Sequence, residues 1–131
     1  MNYETCLKLK VLGLYQKRHT GARYFITPDF VMNSEDLGSL QTKTGEYGDI
    51  TPFVYIPTIE DVLAFLGPNF GEVRRMVNTD NPEMNVCAFA FQPIDDSGLI
   101  LRAFGAGMKE ALANLAIAVY GGKTNTPVQG I

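Results

Sequence analysis

Several residue types that build reactive sites are scarce in this chain. It has two cysteines, one histidine and no tryptophan. Cys6 and Cys87 fall in segments patterned as a helix and as an apolar strand, where a free thiol behaves as a small hydrophobic group, so neither a disulfide framework nor a closed zinc site is expected. His19 stands in a basic turn with no carboxylate or thiol beside it in sequence, so we expect an exposed loop residue rather than a general base.

Long apolar runs and an excess of positive charge are also missing. No window approaches the ~18 uninterrupted apolar residues of a membrane span, and the first residues lack the pattern of a leader peptide. Eleven Lys and Arg stand against 14 Asp and Glu, which gives a net charge of -3 and no electrostatic footprint for nucleic acid or an anionic membrane. These absences predict a cytoplasmic protein with no membrane partner, and they argue against a nucleic-acid partner.

The chain does have enough apolar material for a core. It has 131 residues, of which 46% are hydrophobic and 19% are charged. A folded body of this size buries about two-thirds of the surface that its extended chain exposes. We therefore expect one globular domain over residues 1–131.

Three segments repeat apolar residues at the spacing of a helix. Asn2 can cap the first, and Gly13 suits the left-handed position that closes it. Thr58 can cap the second helix. Asp61, three residues later, can accept a hydrogen bond from the Thr58 backbone N–H, which completes a capping box. The third, at about 108–120, is rich in alanine, so we expect it to be mostly buried and to lie close to a sheet.

Other segments favour strands. Residues 22–27 and 53–56 are short runs rich in aromatic and β-branched residues, each ended by a proline. In 84–92 both alternating faces are apolar, which is typical of a strand covered on both sides. Strong turn residues follow, so 99–104 is predicted to return as the partner strand of an antiparallel hairpin. Residues 70–77 fit a helix or an extended segment almost equally well.

Two stretches lack a clear period. Residues 28–51 mix glycines and polar residues with scattered apolar ones, and we predict an inserted arm there. Residues 122–131 are predicted to form a loose tail. Together the elements favour an α+β fold, in the form of a small α/β/α sandwich whose antiparallel or mixed sheet is covered by helices.

Three blocks of the sequence, at 2–13, 55–63 and 110–118, carry a family resemblance. In them the chain resembles small uncharacterised proteins of bacterial prophages and other mobile elements, akin to the phage ABA sandwich domains. The resemblance implies a fold and a genomic setting, with no catalytic residues attached. The chain departs from that group at 105–111 and in the length of its 28–51 arm.

The sharpest enzymatic pattern lies between the last strand and the last helix. Arg102, Gly105, Gly107 and Met108 resemble the acyl-CoA pyrophosphate loop of the N-acetyltransferase family, where glycines let backbone N–H groups approach phosphate oxygens. That family has a further strand and helix after the motif, whereas one helix and a short tail follow it here. The sequence therefore favours a tight turn without a ligand, with Arg102 as a solvent-edge or ion-pair residue.

Two other patterns point weakly to ligands. Asp95 and Asp96 could bind a hard cation, but turn formation explains both, so no metal site is predicted. Basic residues that could form a positive patch for nucleic acid are Lys17, Arg18, Arg23, Arg74 and Arg75. No catalytic residue is predicted.

The sequence thus predicts a non-enzymatic accessory protein of a prophage or mobile element that acts through protein contacts and has no bound cofactor. We expect it to self-associate, because a small domain does not bury all the apolar residues of the 28–51 arm by itself. A small acyl-CoA-dependent transferase using Arg102, Gly105, Gly107 and Met108 is the first alternative. A nucleic-acid modulator is the weaker one.

Overall fold

The computed structural model describes residues 1–37, 50–77, 80–91 and 100–121. The chain divides into two compact units, Met1–Pro57 and Thr58–Ile131. The predicted tail and residues 38–49 of the predicted arm lie outside the described residues. Among the described helices, none combines the length and the apolar character that crossing a membrane requires.

The first unit contains a three-stranded antiparallel sheet and two helices. Its elements in chain order are α1 (Tyr3–Val11), β1 (Arg23–Thr27), β2 (Phe30–Asn33), the single-turn α2 (Ser34–Leu37) and β3 (Val54–Tyr55). The strand order is β2-β1-β3, so β1 is central. Both pairings are antiparallel, with Tyr24 opposite Met32 on one side and opposite Tyr55 on the other.

The first helix begins and ends where the sequence predicts. The Asn2 side chain accepts a hydrogen bond from the Thr5 N–H at 2.9 Å, and Gly13 takes a positive φ of 106° just beyond the helix. Cys6 and Leu9, which are fully buried, form its inner face. The cap therefore orients an amphipathic helix whose apolar side packs into the first unit.

A lysine ties α1 to the segment that enters β3. Lys10 Nζ donates to the carbonyl oxygens of Thr51 at 2.8 Å and Phe53 at 2.7 Å. Burial lowers the pKa of Lys10, because the charged form loses hydration there. The two carbonyl partners compensate part of that loss and leave the ammonium group bonded to backbone rather than to a carboxylate.

Part of the predicted arm belongs to the first sheet. Strand β2 and helix α2 occupy residues 30–37, and Leu37 is fully buried. Phe30 stays 53% exposed, because β2 is an edge strand whose side chains are covered only in part. That partial burial explains why the sequence of this segment shows no clear period.

The second unit contains another three-stranded antiparallel sheet, with order β4-β5-β6. Its elements are α3 (Ile59–Leu66), β4 (Phe70–Arg75), β5 (Val86–Ala90), β6 (Arg102–Gly105) and α4 (Met108–Gly121), with short 3-10 turns at Gly67–Asn69 and Pro82–Met84. The segment that fitted a helix or an extended conformation is thus a strand, β4. The predicted antiparallel pairing of the last two strands is confirmed.

The capping box of α3 is present as predicted. Thr58 Oγ1 accepts from the Asp61 N–H at 3.2 Å, and Asp61 Oδ2 accepts from the Thr58 N–H at 2.9 Å. These reciprocal bonds satisfy two backbone donors at the helix start. Val62 and Leu66 on the inner side of α3 are fully buried, and α3 packs against α4.

Helix α4 lies directly on strands β5 and β6. Ala88 and Ala103, which are paired across these strands, are fully buried. Gly105 lies so close to the backbone of α4 that a Cβ placed on it would be 2.4 Å from the Ala111 nitrogen. Small residues on the sheet thus let the helix backbone approach, and this confirms the predicted close packing of the alanine-rich helix.

A tyrosine joins the ends of the two helices of the second unit. The Tyr120 hydroxyl donates to the Phe65 carbonyl oxygen at 2.5 Å and accepts from Asn69 Nδ2 at 3.2 Å. The rings of Phe65 and Tyr120 also lie 4.6 Å apart between centroids. The last turn of α4 is therefore held against the end of α3 by both polar and aromatic contacts.

The α+β class with antiparallel strands is confirmed. The described strands form two sheets of three, where the sequence predicted a single sheet. Each sheet is built from strands that follow one another in the chain, and antiparallel pairs of this kind need no long crossover. Because each strand pairs with strands near it in the sequence, the strands before Pro57 form one sheet and those after Thr58 form the other.

Replacing Gly105 by alanine tests the close approach of α4. The added methyl group must push the helix backbone away, so Gly105→Ala should lower the free energy of unfolding by about 1–3 kcal/mol. Gly107→Ala is the matched control, because its Cβ would meet only the flexible end of Glu110, at 3.0 Å. Urea unfolding followed by circular dichroism measures both, and equal losses would contradict the role given to Gly105.

Candidate functional site

The structure places the residues of the predicted acyl-CoA loop on opposite faces of the second sheet. Side chains alternate along β6, so Gly105 faces α4 and Arg102 faces the other way. The Arg102 guanidinium carbon lies 5.6 Å from the centroid of the Phe104 ring on that other face. The Gly107 carbonyl accepts from the Ala111 N–H at 3.0 Å at the start of α4. Arg102 is therefore not brought together with the glycines, and the transferase alternative stays a prediction.

The face of the second sheet opposite α4 combines arginine and phenylalanine. Besides Arg102 over Phe104, the Arg74 guanidinium carbon lies 5.5 Å from the Phe89 centroid. Contacts of this kind are favourable because the ring face carries partial negative charge. We call this surface the arginine–phenylalanine face, and it comprises Glu72, Arg74, Phe89, Arg102 and Phe104.

An ion pair lies on the arginine–phenylalanine face. Arg74 Nη2 is 2.9 Å from Glu72 Oε1, and the two side chains are 65% and 51% exposed. An ion pair this open to water contributes little to stability. The same guanidinium also lies beside the ring of Phe89.

Cys87 lies on the same face, beneath the longer side chains. It is fully buried, and both it and Cys6 are free thiols. Burial raises the pKa of Cys87, and the nearby positive charges of Arg102 and Arg74 offset this only in part. The thiol is therefore protonated at neutral pH, which makes it a poor nucleophile.

An exposed phenylalanine stands beside a cavity at one end of this face. Phe91 is 63% exposed and Ile100 is 45% exposed. The cavity is about 350 Å³ and is lined by Gly71, Glu72, Phe89, Ala90, Phe91 and Ile100. The Phe91 N–H donates to the Asn69 carbonyl at 2.8 Å, so the backbone that carries the ring is fixed. We call Phe91, Ile100, Phe89 and this cavity the Phe91 patch.

A second cavity, of about 450 Å³, lies where β4 and β5 meet the turn before α4. Its lining residues are Val73, Arg75, Met76, Asn85, Val86, Ala106 and Met108. The Met76 N–H donates to the Asn85 carbonyl at 2.7 Å, which joins the two strands at its wall. We call it the Arg75 cavity.

In the first unit, His19 is exposed and hydrogen-bonded on both ring nitrogens. Nδ1 lies 2.9 Å from the Thr20 carbonyl oxygen, and Nε2 lies 3.4 Å from the hydroxyl of the buried Tyr55. A carbonyl only accepts, so we assign the proton to Nδ1 and the acceptor role to Nε2. His19 thus links the chain before β1 to a core tyrosine of β3.

Glu35 holds the turn that precedes β1. Its Oε1 accepts from the Gly21 N–H at 2.6 Å and from the Ser34 hydroxyl at 3.3 Å. The Gly21 bond is the largest cause that lowers the pKa of Glu35, because it favours the ionised carboxylate. The Glu35 carboxylate therefore stabilises the turn before β1.

The remaining sequence candidates fall in different parts of the chain. Asp95 and Asp96 lie outside the described residues. The basic residues divide between the units, with Lys17, Arg18 and Arg23 in the first and Arg74 and Arg75 in the second. Within the described ranges, no group of three or more His, Cys, Asp or Glu side chains could hold a metal ion.

Replacing Glu35 by glutamine tests its bond to Gly21 through pH. Because the folded protein lowers the pKa of Glu35, its stabilising effect exists above the ordinary value of 4.5 and is lost as the pH falls through the lower folded value. Glu35→Gln should therefore lower the urea midpoint at neutral pH, and the difference should vanish in acid. Asp29→Asn, at an exposed position in the β1–β2 turn, serves as the control. A loss that is equal at both pH values would contradict this role of the carboxylate.

Comparisons of this chain with protein-family models, with curated proteins and with solved structures find no match. The interpretation of both cavities and of the arginine–phenylalanine face therefore rests on geometry and chemistry.

Proposed function

We propose that this protein is a non-enzymatic accessory protein that acts through protein contacts, and that it binds a second copy of itself through the Phe91 patch. One observation carries the proposal. A largely exposed phenylalanine ring, Phe91, lies beside a cavity of about 350 Å³ whose lining residues are apolar except for Glu72. Aromatic side chains set in pockets supply much of the binding energy of protein interfaces.

The arrangement of ring and cavity favours a second copy as the partner. In a two-fold symmetric contact the same patch serves on both subunits, so each projecting group must meet a recess of the other. The Phe91 patch contains a projecting group and a recess side by side. Rotation about a two-fold axis between them can seat Phe91 of each copy in the other copy's cavity.

The charges at the patch favour the same partner. Glu72 lines the cavity, and its partner Arg74 lies 2.9 Å away on the same exposed surface. A second copy presents the same carboxylate and the same guanidinium. Two-fold pairing can therefore set opposite charges against each other across the contact, which improves specificity more than affinity.

The Arg74 side chain is also held in position before any partner arrives. Its contacts with Phe89 and Glu72 restrict its rotamers. Ordering a long side chain on binding costs free energy, so a side chain that is already ordered loses less. The patch thus has the combination of arginine and aromatic residues that is enriched at interfaces.

We also propose that the protein belongs to a prophage or mobile element. The sequence resemblance at 2–13, 55–63 and 110–118 supports this proposal. Self-association through the Phe91 patch is the part of the proposal that the geometry supports.

Light scattering coupled to size exclusion tests the dimer over a range of protein concentrations. For a contact built around one aromatic side chain and one recess, we expect a dissociation constant of about 1–100 µM. Phe91→Ser should weaken the dimer at least about 10-fold, because it removes the side chain that fills the cavity. A protein that stays monomeric at the highest concentration would overturn the proposal.

Phe30→Ser is the matched control for Phe91→Ser. Phe30 is also an exposed phenylalanine, 53% exposed, but it lies on edge strand β2 of the first unit. We expect Phe30→Ser to leave the dimer unchanged. If it dissociates the dimer while Phe91→Ser does not, self-association occurs through the segment that the sequence predicted as an arm, and the Phe91 patch is not the contact.

A further inference from the structure

The Arg75 cavity is lined by polar and apolar groups in similar measure. Five of its lining side chains are apolar, namely Val73, Met76, Val86, Ala106 and Met108. Among the described residues that line it, Arg75 is the only charged one, and it is exposed. A recess that combines apolar side chains with one exposed cation fits a ligand that has an apolar chain and one negative group.

No carboxylate among the described residues forms an ion pair with Arg75. The neighbouring Arg74 pairs with Glu72, and that pair lies on the opposite face of β4 because side chains alternate along a strand. Arg75 thus keeps its five N–H donors for water or for a ligand. A planar guanidinium binds a carboxylate with two parallel hydrogen bonds, which makes this anion its best-fitting partner.

The walls of the cavity can adapt to a flexible chain. Met76 and Met108 both line it, one after β4 and the other at the start of α4. Methionine side chains are unbranched and polarizable, so they adjust to apolar ligands of varied shape. Met108 is 42% exposed, which leaves apolar surface available to a ligand.

The cavity is large enough for such a molecule. Its volume is about 450 Å³, and binding sites for small molecules commonly have volumes of about 300–1,000 Å³. A chain of about eight carbons with a carboxylate fills only part of it, since one water-sized group takes ~30 Å³.

We propose that the Arg75 cavity binds a small carboxylate with an apolar chain, with the chain against Val73, Val86 and the two methionines and the carboxylate on Arg75. This site is separate from the Phe91 patch, because Arg75 and Glu72 belong to opposite faces of β4. Each of the two proposals can therefore fail while the other holds.

Sodium octanoate, below its micelle-forming range, is the probe. Proteins labelled at the methionine methyl carbons are titrated and followed by nuclear magnetic resonance, with Met108→Leu used for assignment. We expect the signals of Met76 and Met108 to shift in a saturable manner with a dissociation constant below about 5 mM. Met1 and Met32, which are not among the residues that line the cavity, should not shift and serve as internal controls.

Two further sets of measurements test separately how the charge and the apolar chain contribute to binding. Acetate carries the charge alone and 1-octanol carries the chain alone, so both should bind at least about 10-fold more weakly than octanoate. Arg75→Gln should weaken octanoate about 10-fold, whereas Arg74→Gln, at the adjacent residue on the other face, should leave it unchanged. Both arginines are exposed, so neither change should unfold the protein.

Three results would overturn the proposal. The first is the absence of saturable shifts at Met76 and Met108. The second is equal affinity for octanoate and 1-octanol, which would show that the cation plays no part. The third is equal affinity of Arg75→Gln and Arg74→Gln for octanoate.

Discussion

The close approach of α4 to strands β5 and β6 is the constraint on which the second unit depends. Gly105 leaves no space for a Cβ against Ala111, and Ala88 and Ala103 are fully buried beside it. A helix so close to two strands buries backbone as well as side chains, and dense packing of this kind tolerates little change in volume. The Arg75 cavity opens where the edge strand β4 meets the turn that leads into this helix.

Alternation along β4 then assigns the two proposed sites to different faces. Glu72 and Arg74 point to one side, while Val73 and Arg75 point to the other. The adjacent residues Arg74 and Arg75 therefore belong to two different proposed sites. One is held by a carboxylate and a ring beside the Phe91 patch, and the other lines a cavity on the side of α4.

Local signals in the sequence predicted the helices well, whereas contacts between distant strands could not be predicted. The caps at Asn2 and Thr58 depend on residues three positions away, so their chemistry is visible in the sequence. The contact of Arg74 with Phe89 depends on the register of β4 against β5, which many pairings of the same residues could satisfy. An edge strand such as β2 is covered only in part, so its burial leaves no clean period of two.

The hydroxyl of Tyr120 joins elements from the two ends of the second unit, since α3 opens that unit and α4 is its last described helix. Fraying at the end of α4 must break this bond and separate two aromatic rings, so it also loosens the end of α3. The two helix ends should therefore open as one cooperative segment, with similar protection of their amide protons against exchange with solvent.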